Sequence, residues 1–165
     1  MNNITISDIF FPKITKKYII RVLCVIVLAY LFFSFLCIPL IIRGASMVPT
    51  YPSLGFNFCW TPKYIFSKPH RQDVVIVKFI GKKVMLLKRI VAFEGDTVEF
   101  KDGKLYINGV ELYEPYVKYP CDWNLPERTV QKGHIYVVGD NRSMPIETHE
   151  FGETSIKRIA GGPLW

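Results

Sequence analysis

From Val22 to Ile42 the chain runs for 21 residues without a charge (VLCVIVLAYLFFSFLCIPLII), and no other feature limits its folding as strongly. One helical crossing of a hydrocarbon core about 30 Å thick needs a segment of this length. Two alternatives compete with a membrane anchor. A helix buried in a soluble domain would have to cover large apolar side chains on every face. A cleavable signal peptide has an apolar region of about 7–15 residues, shorter than this one, although Gly44-Ala45-Ser46 offers small residues where a cut would fall. The reading adopted is an uncleaved anchor.

Charge gives the orientation. Lys13, Lys16, Lys17 and Arg21 precede the apolar run against the single acid Asp8, while Arg43 alone follows it closely. The positive-inside rule then keeps the N-terminus in the cytoplasm. The expected organisation is a cytoplasmic segment 1–17, a transmembrane anchor 18–42 and an exported domain 43–165. The net charge of +7 is spread along the chain without basic runs interleaved with aromatics, so nucleic-acid binding has no support. A mildly basic outer domain suits an anionic lipid surface. Cys24 and Cys37 fall in the expected anchor as small apolar residues. Cys59 and Cys121 fall in the exported part, where a disulfide between them is possible in an oxidising compartment. No metal-type spacing joins the cysteines to His70, His134 or His149.

The exported part reads as mainly β. Val74–Val77 and Val84–Leu87 are apolar runs of strand length around a turn at Gly81. Val98–Lys101 and Lys104–Ile107 flank Asp102-Gly103 and are closed by Asn108-Gly109, the dipeptides of tight hairpins. His134–Val138 is a further strand, stopped by Gly139-Asp140-Asn141, and a last strand is expected to include Ile156–Ile159. Residues 115–132, with Pro120 and Pro126 and no clear period, read as an excursion from the sheet. Short strands with turn signals and no amphipathic helix indicate a compact β-barrel or sandwich.

The histidines do not assemble a Ser-His-Asp set: His70 follows a proline in a loop, His134 opens a strand, and His149 sits in a polar segment, all ordinary surface settings. Ser46 and Lys88 remain. Ser46 lies in Gly44-Ala45-Ser46-Met47-Val48-Pro49-Thr50, just past the anchor, with small neighbours that would let a substrate backbone approach. A plain loop serine fits that stretch equally well. Lys88 is flanked by Val84-Met85-Leu86-Leu87 and Ile90-Val91-Ala92-Phe93, and in a strand it shares a face with Leu86, Ile90 and Ala92. Its nearest acids in sequence, Asp73, Glu94 and Asp96, are at least six positions away. An ammonium on an apolar face loses its proton easily, as a lysine acting as general base requires; moving it from about 10.4 to about 7–8 corresponds to about 3–4 kcal/mol. A lysine that snorkels to water is the alternative. Lys157-Arg158-Ile159 repeats the Lys-Arg-Ile tripeptide with less apolar flanks.

Four boxes in order carry a resemblance. Ser46-Met47-x-Pro49-Thr50, Lys88-Arg89-Ile90-Val91 with Gly95-Asp96-x-Val98, Leu105-Tyr106-Ile107-Asn108-Gly109 and Gly139-Asp140-Asn141-Arg142 together resemble the type I signal peptidase (leader peptidase) family over roughly residues 40–162. The resemblance implies a signal-peptidase-like β-domain at a membrane surface, in the cytoplasmic (inner) membrane with its catalytic face outside. It also implies signal-peptide-bearing pre-proteins as substrates, cut after Ala-x-Ala-type ends by a Ser46–Lys88 dyad. No cofactor or metal is implied, and a monomer in the bilayer is expected. Subsites would be lined around Leu40, Ile42, Gly44, Met47 and Leu87. In some relatives a serine hydroxyl two positions before the nucleophile helps the oxyanion hole; Gly44 offers none. Asp140, Arg142 and Glu147 would buttress the site.

One run departs from the pattern. Where the family usually shows Ser-x-Asp-Ser-Arg, this chain has Pro145-Ile146-Glu147-Thr148-His149. Glu147 can stand in for the acid, but Pro145 has no hydroxyl to orient a lysine; Ser143 or Thr148 are the candidates left. A peptidase of the same family dedicated to a conjugation, pilus or specialised secretion system, or a catalytically dead membrane-bound binding module, are the alternative readings.

Overall fold

A computed structural model describes residues 14–65, 67–79, 84–149 and 151–165. The N-terminal charges Asp8 and Lys13 and the turn expected at Gly81 lie outside the described residues. Helix α1 (Lys16–Leu31) starts at Thr15, whose hydroxyl accepts the Tyr18 N–H, and widens into a π-turn over Phe32–Leu36. The span Lys16–Leu36 is long and apolar enough to cross a membrane, and none of it is buried by the rest of the chain.

The apolar run does not continue as helix to Ile42. Cys37–Ile41 forms strand β1, antiparallel to β2 (Phe56–Trp60), so six residues assigned to the anchor belong to or border the β-domain. The cause is local: Pro39 cannot donate within a helix, and it biases Ile38 toward extended backbone. β1 is an edge strand, where a proline is tolerated. Cys37 is accordingly buried in the β-domain.

The remaining strands are β3 (Val74–Phe79), β4 (Val84–Phe93), β5 (Thr97–Lys101), β6 (Lys104–Ile107), β7 (Val110–Glu111), β8 (Leu125–Thr129), β9 (His134–Val138), β10 (Gly152–Ser155) and β11 (Ile159–Pro163). They form a seven-stranded sheet in the order β1-β2-β11-β3-β4-β9-β10 and a four-stranded sheet β7-β6-β5-β8. The mainly β fold class read from the sequence is what the chain adopts. Asp102 and Gly103 take positive φ in the β5–β6 hairpin, and Asn108 and Gly109 do so before β7, as those dipeptides require.

Two expectations about strands are corrected, and the open question of a Cys59–Cys121 bridge is answered. Ile156–Arg158 is a 3₁₀ turn and the last strand is Ile159–Pro163, because Ile156–Arg158 lies exposed while the glycines that follow fit against the backbone of Trp60 and the side chain of Lys63. The excursion 115–132 contributes β8, whose exposed residues gave no apolar alternation to read. Cys59 and Cys121 are both free: Cys59 faces Ile38 across the β1–β2 ladder, and Cys121 packs beside Gly103.

Two apolar clusters hold the sheets. Val75, Val77, Ile90, Ile135 and Val137 form one within the large sheet. Val98, Phe100, Leu105, Ile107, Trp123, Val130 and Tyr136 form the other, joined by Val91 and Ala92 of β4. Each such side chain contributes about 1.5–3 kcal/mol by leaving water. β4 can serve both clusters because its pairing with β9 shifts register between Ile90 and Ala92. That irregularity ends the alternation that would have kept Ala92 on the Lys88 face.

Candidate active site

Strands β1 and β4 are separated by three strands in the sheet order, yet they line one groove of about 480 Å³. Leu40, Ile42, Gly44 and Met47 contribute from the chain leaving the membrane-length helix, Leu87 and its neighbours Met85 and Leu86 from β4, and Ile76 from β3; Ser46 borders the same groove. All five residues expected to line subsites thus meet around Ser46. Met47 and Ile76 are buried beneath the groove. Gly44 has φ +93°, a conformation that L side chains rarely adopt.

Lys88 is 3% exposed, held inside the sheet by pairing with Val75 on β3. On its other side Arg89 pairs with Val138 of β9, so one step further along both strands Lys88 runs beside Gly139. Gly139 also abuts the serine: a Cβ built on it would overlap the Ser46 carbonyl oxygen. Asn141 fastens the same stretch, its N–H donating to Ser46 O at 2.9 Å and its side-chain amide to Ala45 O at 3.1 Å. Ser46 and Lys88 therefore both flank the Gly139 turn.

Behind this turn lies a charged network. Arg89 donates from Nε and Nη2 to the two Asp140 oxygens at 2.8 and 2.6 Å and from Nη1 to Gln72 O, and its guanidinium stacks 3.8 Å from the centre of the Tyr116 ring. Asp140, fully buried, also accepts the Thr50 hydroxyl at 2.6 Å, which ties the segment after Ser46 to β4. Arg142, 1% exposed, donates from Nε to Gly139 O and from both Nη atoms to Glu114. Glu114 also accepts the Tyr116 hydroxyl; burial and this carboxylate raise that phenol's pKa.

Glu147 is not part of this network. It is exposed and lines a separate cleft of about 710 Å³ with Pro120–Asn124 and Arg142–Ile146. Ser143 and Thr148 are exposed too; their hydroxyls bond Asn141 Oδ1 and Pro145 O. His149, read as a surface residue, is instead 4% exposed. Trp123 and Phe151 pack on its ring at centroid distances of 4.8 and 5.6 Å, and its Nε2 accepts the Gly139 N–H at 3.2 Å. Burial first, then the positive charges of Lys88 and Arg142, lowers its pKa to about 3, so its imidazole is neutral at ordinary pH. Arg89 and Asn141 stood inside the boxes that carried the resemblance but were given no role there, and Glu114 carried no cue in the sequence. Among the described residues no cluster of His, Cys, Asp and Glu could hold a metal ion.

Fold and groove define a class: a β-domain that presents a serine and a buried lysine beside an apolar groove, next to the end of a membrane-length helix. The chain belongs to the signal peptidase family, peptidase S26, whose model matches residues 15–163. It is 33% identical over 147 residues to thylakoidal processing peptidase 1 of Arabidopsis thaliana, covering 82% of this chain and 43% of that protein. It is 33% identical over 134 residues to signal peptidase I V of Bacillus subtilis (73% and 79% covered). Against the signal peptidase I of Bacillus licheniformis the identity is 32% over 158 residues (88% and 84%). The chain thus spans less than half of the first plant relative and about four fifths of the bacterial ones. A signal peptidase I from Enterococcus faecalis superposes with a TM-score of 0.47 at 28% identity, over 58% of this chain and 97% of that one, too loosely to carry weight.

Proposed function

We propose that this chain is a membrane-bound serine endopeptidase that removes N-terminal signal peptides from exported pre-proteins, with Ser46 as nucleophile and Lys88 as general base. The observation that carries the reading is the meeting of Ser46, the buried Lys88 and the five apolar-groove residues around one turn. The end of a signal peptide would lie extended in the groove between β1 and β4. Its floor is already filled by Met47 and Ile76, which favours small residues before the cut.

In this reaction the Ser46 hydroxyl attacks the scissile carbonyl carbon while neutral Lys88 takes its proton. Collapse of the intermediate breaks the C–N bond, and Lys88 delivers the proton to the leaving amine. Water then attacks the Ser46 ester with Lys88 again as base, releasing the signal peptide's carboxylate. The Ser46 backbone N–H faces the developing oxyanion; Gly44 adds no side-chain donor.

The same reading sets residues 1–17 in the cytoplasm, the helix across the inner membrane and residues 43–165 outside it, with the bilayer as constant partner. The deciding experiment incubates the full chain in detergent with a pre-protein bearing an Ala-x-Ala end and maps the cut. Ser46→Ala, Lys88→Ala and Lys88→Arg should each abolish cleavage with the fold intact, since a guanidinium stays protonated. Near-normal turnover by Lys88→Arg would overturn the dyad, and a wild-type chain that binds pre-protein without cutting it would mark a binding module.

A further inference from the structure

We propose that His149 is a positioning residue for this site: through its Nε2 bond to the Gly139 N–H it fixes the Gly139–Asn141 turn, and through that turn the backbone of Ser46. The inference rests on the assignment of Ser46 as nucleophile and adds a residue to its support.

Gly139 is crowded by two groups. A Cβ there would overlap Ser46 O and also come within 2.9 Å of His149 Cε1 and Nε2. The imidazole and the serine backbone thus close on the one point where a side chain on this glycine would stand. Asn141, two residues on, carries both bonds to the Ala45–Ser46 backbone, so a displacement of Gly139 reaches the nucleophile directly. The ring itself has little freedom, being held by Trp123 and Phe151.

The chemistry of the ring suits the task. To accept the Gly139 N–H, Nε2 must keep its lone pair, which puts the proton on Nδ1. Nδ1 is buried and has no hydrogen-bond partner among the described residues. The cationic groups that bear on the ring are Lys88 and Arg142. Both oppose a second proton, which would turn Nε2 from acceptor into donor against Gly139 N–H. A neutral histidine therefore does here what a fixed cation at this position could not: it accepts from the turn and adds no charge beside Lys88.

Three variants of the full chain in detergent test this. His149→Gln keeps an acceptor that reaches Gly139; His149→Leu fills the volume without one; His149→Asn carries an acceptor one bond too short. The Leu and Asn variants should lose at least tenfold in kcat with KM within about twofold, and the Gln variant should restore kcat to within about threefold. Amide hydrogen exchange at Gly139 and Asn141, read by mass spectrometry, should quicken at least tenfold in Leu and Asn and stay near wild type in Gln. If Leu fails to melt cooperatively, the Asn–Gln pair decides alone. Retention of kcat and of exchange protection in the variants without a reaching acceptor would overturn the proposal, as would a Gln variant no better than Leu at equal stability. The exchange arm reads the brace whether or not the chain cleaves. A wild type that cuts no pre-protein would sink the proposed function while leaving the brace to be judged by exchange.

Discussion

Acidification should destabilise this protein in part through one buried residue, His149. Its pKa is lowered from the ordinary 6.5 to about 3, by burial first and by the charges of Lys88 and Arg142 next. Because the folded value is the lower one, the unfolded chain binds the proton more readily at every pH between the two, and stability falls as pH falls from about 6.5 toward 3. At pH 5 the gap is about 1.5 pH units below the unfolded value, which at about 1.4 kcal/mol per unit costs about 2 kcal/mol relative to pH 7. For a β-domain of this size that is a loss of about 5–10 °C in Tm. Carboxylates also titrate in this range, so the measurement is a difference. Wild type and His149→Gln are melted in detergent by circular dichroism at pH 7 and pH 5. Glutamine keeps an acceptor for Gly139 and has no proton to gain, so the variant should lose about 2 kcal/mol less than wild type over the interval. Parallel losses in the two chains, equal to within about 0.5 kcal/mol, would mean that His149 protonates as an exposed histidine does and that its buried setting is wrong.

Other substitutions probe the rest of the turn. Gly139→Ala should lower kcat/KM at least a hundredfold, because the new methyl collides with Ser46 O, and should cost about 1–3 kcal/mol as overpacking; activity assays and melts check both. Arg89→Met leaves fully buried Asp140 without its bidentate partner and should destabilise by about 3–5 kcal/mol in urea titration, whereas Thr50→Val, which removes one hydroxyl from the same carboxylate, should cost about 1–3 kcal/mol. Gly44→Ser would supply the side-chain donor that some relatives have, but at φ +93° the added Cβ strains the backbone, so kcat should fall rather than rise. Protease added to spheroplasts should digest residues 43–165 and spare the N-terminal segment; protection of the β-domain would reverse the orientation.

The parts of this fold that could be read from the sequence are those with a local cause. Val74–Val77, the two hairpin dipeptides and His134–Val138 announce themselves because apolar alternation and left-handed turn residues act within a few positions. β1 was hidden because its residues are as apolar as the helix before them; Pro39 was the one cue that the helix could not run through. β8 and β10 were hidden for the opposite reason. Their residues are mostly polar and none is fully buried, and pairing with β5 and β9 rather than burial makes them strands.

The candidate site divides along the same line. Ser46, Lys88 and the groove residues stand out because each sits in an apolar or small-residue setting unusual for its type. The support behind them does not. Nothing near His149 in the chain foretells Trp123 and Phe151 packing on it, since a polar run of Glu147, Thr148 and His149 reads as solvent-facing until Gly139 supplies the donor that its Nε2 accepts. The replacement of a usual arginine by histidine looked like erosion of the family's pattern. In three dimensions it is coupled to another feature, the glycine that lets a ring and a serine backbone close on the same point. Glu147, two residues before the ring, is exposed on the other cleft and takes no part in this contact. At this turn an uncharged hydrogen bond, from the Gly139 N–H to His149 Nε2, stands beside the positive charges of Lys88 and Arg142.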